Sequence, residues 1–148
     1  MTSQDKIGKV ASVAQSDKQK SALQFKVSQQ DHRRNCDQLE QLKKFKQEYE
    51  AKLETMGGRG IAARQLQDYR QFLGKLNQAI EQQIQEMQSS QQQVEEAREH
   101  WLAKSRRSSA LDQMVDHRLL QQRKAQDKAE QAESDEISLA RSNNTPET

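Results

Sequence analysis

Proline, glycine, cysteine and aromatic residues are all scarce in this chain of 148 residues. Proline occurs once, at Pro146, and aromatic side chains make up 4% of the sequence. Hydrophobic residues reach 32%, whereas a compact domain carries about 45–50% apolar residues, so a thick globular core is excluded. Disordered chains are usually rich in proline and glycine or strongly charged. With one proline and a formal net charge of +2, this chain is neither.

A single cysteine, Cys36, excludes an intramolecular disulfide and is typical of a reducing compartment. No apolar run approaches the roughly 18–20 residues of a membrane span. The first ten residues, MTSQDKIGKV, lack the apolar region of a secretory signal. We therefore expect a protein that is cytosolic or peripheral to another structure.

Residue patterns that would indicate catalysis or metal binding are few. His32 and Cys36 are spaced i, i+4, but a structural zinc needs about four ligands and no second pair accompanies them. Neither His100 nor His117 has a carboxylate or nucleophile pattern nearby, and the phosphate-binding patterns GxGxxG and GxxxxGK[ST] do not occur. The sequence therefore predicts no enzyme, no cofactor and no metal site.

The abundant residues are Gln, Glu, Lys, Ala, Leu and Arg, which are good helix formers. From residue 62 onward, apolar or small residues recur at alternating spacings of four and three, which indicates a left-handed coiled coil. The seam, meaning the line of side chains along which two helices meet, would follow this 4-3 series. A looser apolar stripe in the first half contains Ile7, Val10, Ala14, Ala22, Phe25, Leu39, Leu42, Phe45, Tyr49, Leu53 and Met56.

Three of the five glycines fall within four residues, at Gly57, Gly58 and Gly60. Glycine just after a helix adopts the left-handed conformation without steric cost, and two amphipathic helices joined by a short loop fold back on each other. The sequence predicts an all-α fold, a long two-helix antiparallel coiled-coil hairpin whose second helix is longer, with a disordered C-terminal tail. The predicted bounds are one hairpin domain over 1–141, with helices at about 4–56 and 61–140, a tip at 57–60 and a tail at 142–148.

Pairing that is symmetric about the tip brings together Tyr49 and Tyr69, Leu42 and Leu76, and Phe25 and Val94. The second helix should extend beyond the first from about residue 112, as an alanine-rich helix. Segment charges are +3 over 1–56, +3 over 106–128 and −4 over 129–148. Interleaved signs and few aromatic residues argue against nucleic acid as the partner and favour an acidic protein surface or plain solvation.

Aromatic residues gather within about three turns of the tip on both predicted helices. Because Phe72 and Leu73 are adjacent, they cannot both point into a two-helix seam. Phe72 forms a stripe with Leu76 and Ala79 beside the seam, and such a flank is exposed unless a partner covers it. The sequence therefore predicts a partner-binding stripe here.

Residues 45–82, FKQEYEAKLETMGGRGIAARQLQDYRQFLGKLNQAIEQ, resemble the central segment of the flagellar export protein FliJ family. The resemblance is carried by the EY before the tip, the MGGRGIA turn and the YRQFL stretch that follows. It implies a stalk of the flagellar type III export apparatus, on the cytoplasmic side of the cell membrane. The implied partners are the hexameric export ATPase FliI, the export gate protein FlhA and export chaperones.

By this resemblance the terminal end of the hairpin enters the ATPase ring, and the tip faces the gate. The family's partner-binding surface corresponds here to Gln38, Leu42, Phe45, Tyr49, Phe72, Leu76, Ala79 and Gln83. Family members often have Tyr at the position of Phe45 and His at that of Gln83, so the polar edge of this surface is expected to differ.

Three other readings of the sequence remain open at this point. A virulence secretion system has an equivalent stalk, which would share the hairpin. A self-associating structural coiled coil would form stable dimers, whereas a stalk is expected to be a largely monomeric rod. A basic helix on an anionic membrane or a nucleic acid would bind with a steep salt dependence.

Overall fold

The computed structural model describes residues 3–58, 60 and 62–144. Two α-helices account for nearly all of them: α1 spans Ser3–Gly57 and α2 spans Ala63–Asn143. They contain 55 and 81 residues, and no strand occurs in the described part of the chain. The predicted fold class is confirmed. Of the predicted tail, residues 142 and 143 belong to α2, and residues 145–148 lie outside the described residues.

The glycines of the turn between the helices have different roles from those predicted. Gly57 is still helical, and the Gly58 N–H donates to the Glu54 carbonyl at 3.4 Å, which closes the last turn of α1. The left-handed residue is Gly60, whose φ is 76°. The Leu66 N–H then donates to the carbonyl of residue 62 at 3.2 Å as α2 begins.

The chain divides into two compact units. The first combines α1 up to Lys18 with α2 from Lys104 onward. Here the Arg118 guanidinium donates to the Ser3 hydroxyl, and the Ser108 hydroxyl donates to the Gln15 side-chain oxygen, both at 3.0 Å. Residues later in α1 therefore meet residues earlier in α2, so the two helices are antiparallel in this unit.

Small residues form the seam of the first unit. Ala11, Ala14 and Ser108 are 8%, 4% and 1% exposed. Val10, predicted in this seam, is 43% exposed, so that position was wrong and Ala11 occupies it. The pairing reaches Arg118 rather than residue 112, because the long Arg118 side chain extends to Ser3 at the start of α1.

The second unit contains residues 19–103 and has a seam that mixes polar and apolar side chains. Leu39 and Leu76 are buried, and so are Ser21, Gln83 and Ser90. The 4-3 series predicted on α2 is confirmed by burial from Leu66 to Arg118, where all its members are buried or half-buried, whereas Ala62 and its members from Gln122 onward are exposed. The buried and half-buried members are Leu66, Tyr69, Leu73, Leu76, Ile80, Gln83, Met87, Ser90, Val94, Ala97, Trp101, Lys104, Ser108, Leu111, Val115 and Arg118.

Aromatic contacts show how α1 and α2 are aligned in the second unit. The rings of Tyr49 and Tyr69 are 5.7 Å apart, as the predicted pairing requires. Phe25, however, stacks on Trp101 at 5.7 Å, seven residues beyond its predicted partner Val94. Helical side chains lean toward the N-terminus of their own helix. In an antiparallel pair Phe25 therefore leans away from the tip and Trp101 leans toward it, which lets the two rings meet.

Candidate functional site

Four aromatic rings form one cluster beside the tip, within the second unit. The Tyr49 ring lies 4.7 Å from that of Phe72 and 5.7 Å from that of Tyr69, and Phe45 meets Phe72 edge-on at 6.2 Å. Phe45 and Tyr49 are one helical turn apart on α1, and Tyr69 and Phe72 are one turn apart on α2. The i, i+4 and i, i+3 spacings place each pair on one face of its helix.

The phenylalanines and tyrosines of this cluster differ in exposure. Tyr49 and Tyr69 are half-buried, whereas Phe45 and Phe72 are 47% and 41% exposed. Burial raises the pKa of the Tyr49 phenol, and the neighbouring Tyr69 raises it further. The tyrosines close the seam at this level, and the phenylalanines form an exposed apolar surface beside it.

An open groove of about 410 Å³ runs along the cluster. Its lining consists of Phe45, Glu48, Tyr49, Lys52, Leu53, Met56, Tyr69 and Phe72. Most of these side chains are apolar, and Glu48 and Lys52 add one charge of each sign. An apolar groove with a few charged groups is suited to bind an apolar side chain of a protein partner.

The glutamine expected in the partner-binding stripe is engaged between the helices. The Gln83 side-chain NH₂ donates to the Asn35 carbonyl at 3.0 Å, to the Asn35 side-chain oxygen at 3.4 Å and to the Gln38 side-chain oxygen at 3.3 Å. Gln83 is 9% exposed, so its hydrogen bonds satisfy a polar group that would otherwise be costly to bury. Gln38 is exposed and is held in place by this contact.

Leu76, which was predicted both in the 4-3 series and in the stripe beside it, lies in the seam, with 7% of its surface exposed. Leu76 and Gln83 are one heptad apart and share the seam face of α2, whereas Phe72 and Ala79, also one heptad apart, share the adjoining flank. The residues of the predicted stripe therefore differ in how deeply they are buried. Phe45, Phe72 and Gln38 are exposed, Leu42, Tyr49 and Ala79 are half-buried, and Leu76 and Gln83 are buried.

Met56 lines the groove, whereas the apolar spacing of α1 predicts it in the seam. Its side chain is 42% exposed. Its place immediately before the glycines was the available signal, because a side chain in the last turn of α1 has few residues of α2 to pack against.

His32 takes part in a directional chain of hydrogen bonds rather than a metal site. The Ser90 hydroxyl donates to the Met87 carbonyl at 2.8 Å, so it can only accept from His32 Nδ1, which is 2.9 Å away. His32 Nε2 is then the acceptor for the Cys36 thiol, at 3.6 Å. Both ring nitrogens are engaged. No group of three or more His, Cys, Asp or Glu side chains suited to a metal ion occurs among residues 3–58, 60 and 62–144.

Neither α1 nor α2, over their described lengths, has a stretch long and apolar enough to cross a membrane.

Comparison with known proteins identifies the family. The family model of the flagellar FliJ protein matches residues 3–147. The flagellar FliJ protein of Salmonella typhi is 30% identical over 119 residues, which cover 78% of this chain and 81% of that protein. No solved structure matches. With nearly the whole chain matched, this protein belongs to the family of flagellar FliJ proteins.

Proposed function

We propose that this chain is a flagellar protein export component that works as a coiled-coil stalk. It binds the hexameric export ATPase FliI and the export gate protein FlhA, handles export chaperones, and so promotes secretion of flagellar rod, hook and filament subunits. Its family membership supports the flagellar export role. The partners are those that the resemblance of residues 45–82 implies.

The exposed pair of Phe45 and Phe72 is the observation that carries the gate-binding part of this proposal. Two neighbouring phenylalanines that are 47% and 41% exposed are costly to leave in water. Aromatic side chains that fill a pocket of the partner dominate the binding energy of many interfaces. Leu76 and Gln83 are buried in the seam next to this surface and position it by holding α2 against α1.

The stalk would act by binding rather than by chemistry. One chain placed in a ring of six identical subunits cannot contact all six in the same way, so it favours an asymmetric state of the ring. Such binding couples the ATPase to a second partner only if that partner binds the same chain, as the gate would. Residues 106–128, with a net charge of +3, offer a basic surface to the ATPase.

ATP hydrolysis by FliI tests the stalk role. We expect this chain to stimulate hydrolysis, with saturation near one copy per six ATPase subunits and with formation of hexamers. Absence of both stimulation and co-migration with FliI would refute the ATPase part of the proposal.

Binding of the purified cytoplasmic domain of FlhA tests the gate surface. We expect Phe72→Ala to weaken binding by about tenfold or more, since buried aromatic contacts often account for 2 kcal/mol or more. Val27→Ala removes another exposed apolar side chain, 47% exposed on α1, and serves as the matched control. Equal affinities of the two variants would contradict a gate surface at Phe72.

A further inference from the structure

The last part of α2 is a helix that is exposed along its described length. Every residue from 119 to 144 is exposed, and we call residues 119–141 the overhang. Its largest apolar side chains are well exposed: Leu119 by 50%, Leu120 by 51%, Ile137 by 50% and Leu139 by 64%. The 4-3 series of the seam continues along it through Gln122, Ala125, Ala129, Ala132, Glu136 and Leu139. The overhang therefore carries the residue spacing of a coiled coil without a second helix.

Charge is distributed unevenly along this helix. Residues 119–128 contain three basic residues and one acidic residue, which gives +2. Residues 129–141 contain four acidic residues and one basic residue, which gives −3. Two such helices laid antiparallel would place each basic half against the acidic half of the other. Laid parallel, they would place like charges together.

Lys128 and Asp135, which lie beside seam positions, have no residue of opposite charge at ion-pair spacing within the helix. The residues three and four positions from Lys128 are Lys124, Ala125, Gln131 and Ala132. Those at the same spacing from Asp135 are Gln131, Ala132, Ser138 and Leu139. Intrahelical ion pairs require these spacings, so neither charge can be neutralised locally. Both are aimed at a helix that would lie against the seam face.

We propose that the overhang pairs with the overhang of a second copy of this chain as a twofold-symmetric antiparallel coiled coil. In the register that keeps the 4-3 series together, Ala129 of one copy lies opposite Ala132 of the other. Lys128 of each copy then faces Asp135 of the other. The two residues hold equivalent heptad positions, each immediately before a seam residue (Ala129 and Glu136), and equivalent flanking positions face each other in an antiparallel pair. Twofold symmetry produces each of these contacts twice.

The same pairing covers Leu119 and Leu139, whereas Leu120 and Ile137 lie on its outer face. Leu139 lies opposite Gln122 of the second copy, and Leu119 lies beside its Ala140. Three of the six seam positions are alanine and two are polar, so the apolar area that is covered is small and the dimer is weak. The dilute chain stays monomeric, as a stalk requires, and the dimer forms as concentration rises. This inference does not depend on the proposed binding of FliI or FlhA.

Sedimentation equilibrium of the full chain over a wide concentration range tests the proposal. We expect reversible dimerisation that weakens as salt is raised, because the facing charges are exposed and screened. Lys128→Glu alone and Asp135→Lys alone should each weaken the dimer by about tenfold, since each replaces two attractions with two repulsions. The double variant Lys128→Glu with Asp135→Lys should restore it, because the two charges have only exchanged places.

Arg123→Glu is the matched control. It changes the net charge by the same amount on the same helix, but position 123 points away from the second copy and lies at no ion-pair spacing from Lys128 or Asp135, so the dimer should be unchanged. Far-UV circular dichroism of every variant establishes that α2 remains helical. A natural chain that stays monomeric at all concentrations would overturn the proposal. So would equal effects of Arg123→Glu and Lys128→Glu, or a double variant that fails to associate.

Discussion

Replacing Leu76 with alanine tests whether the seam is as deep as the burial of its residues indicates. Leu76 is 7% exposed, so the substitution removes three carbon atoms that are almost completely withdrawn from water. At about 0.8 kcal/mol per buried methylene, the loss is about 2 kcal/mol. This lies at the low end of leucine-to-alanine values in protein cores, because a two-helix seam allows neighbouring side chains to move into the space.

Urea denaturation followed by far-UV circular dichroism measures this loss as a lower midpoint at an unchanged slope. In thermal melts the same loss corresponds to a decrease of about 4–8 °C. Leu23→Ala is the matched control, because Leu23 lies in the same unit and is 63% exposed. We expect that variant to stay within about 0.5 kcal/mol of the natural chain. Equal stabilities of the two variants would refute the placement of Leu76 in the seam.

Two further substitutions test the turn and the polar part of the seam. Gly60→Ala should cost about 1–2 kcal/mol because φ is 76° there, whereas Gly58→Ala, where an added Cβ meets only ordinary contacts, should be nearly neutral in the same melts. A neutral Gly60→Ala would contradict the left-handed turn. Ser90→Ala leaves His32 Nδ1 without its acceptor and should lower the free energy of unfolding by about 1 kcal/mol, measured by urea denaturation against the exposed-site variant Ser89→Ala. No difference between these serine variants would show that the hydrogen bond is not formed in solution.

The position of Phe72 beside the seam was predictable from its neighbour Leu73, because adjacent helical residues differ in direction by about a quarter turn or more. The burial of Leu76 was predicted by the 4-3 series, which also contains Leu73. Its second assignment, to the stripe, rested on the i, i+4 spacing from Phe72. Met56 was missed because the pattern does not record where the second helix begins.

For this chain, the sequence alone determined two long helices, their break at the glycines and the face by which α2 meets α1 up to Arg118. Each follows from local rules: helix propensity, the freedom of glycine, and a repeat of 3.5 residues that keeps one face toward a neighbour. Only the tertiary structure decided that Phe25 meets Trp101, that Gln83 bonds Asn35 and Gln38, and that Lys46 rather than Phe45 is half-buried. These contacts depend on the axial offset between the helices and on the lean of each side chain, and a pattern along one helix contains neither quantity.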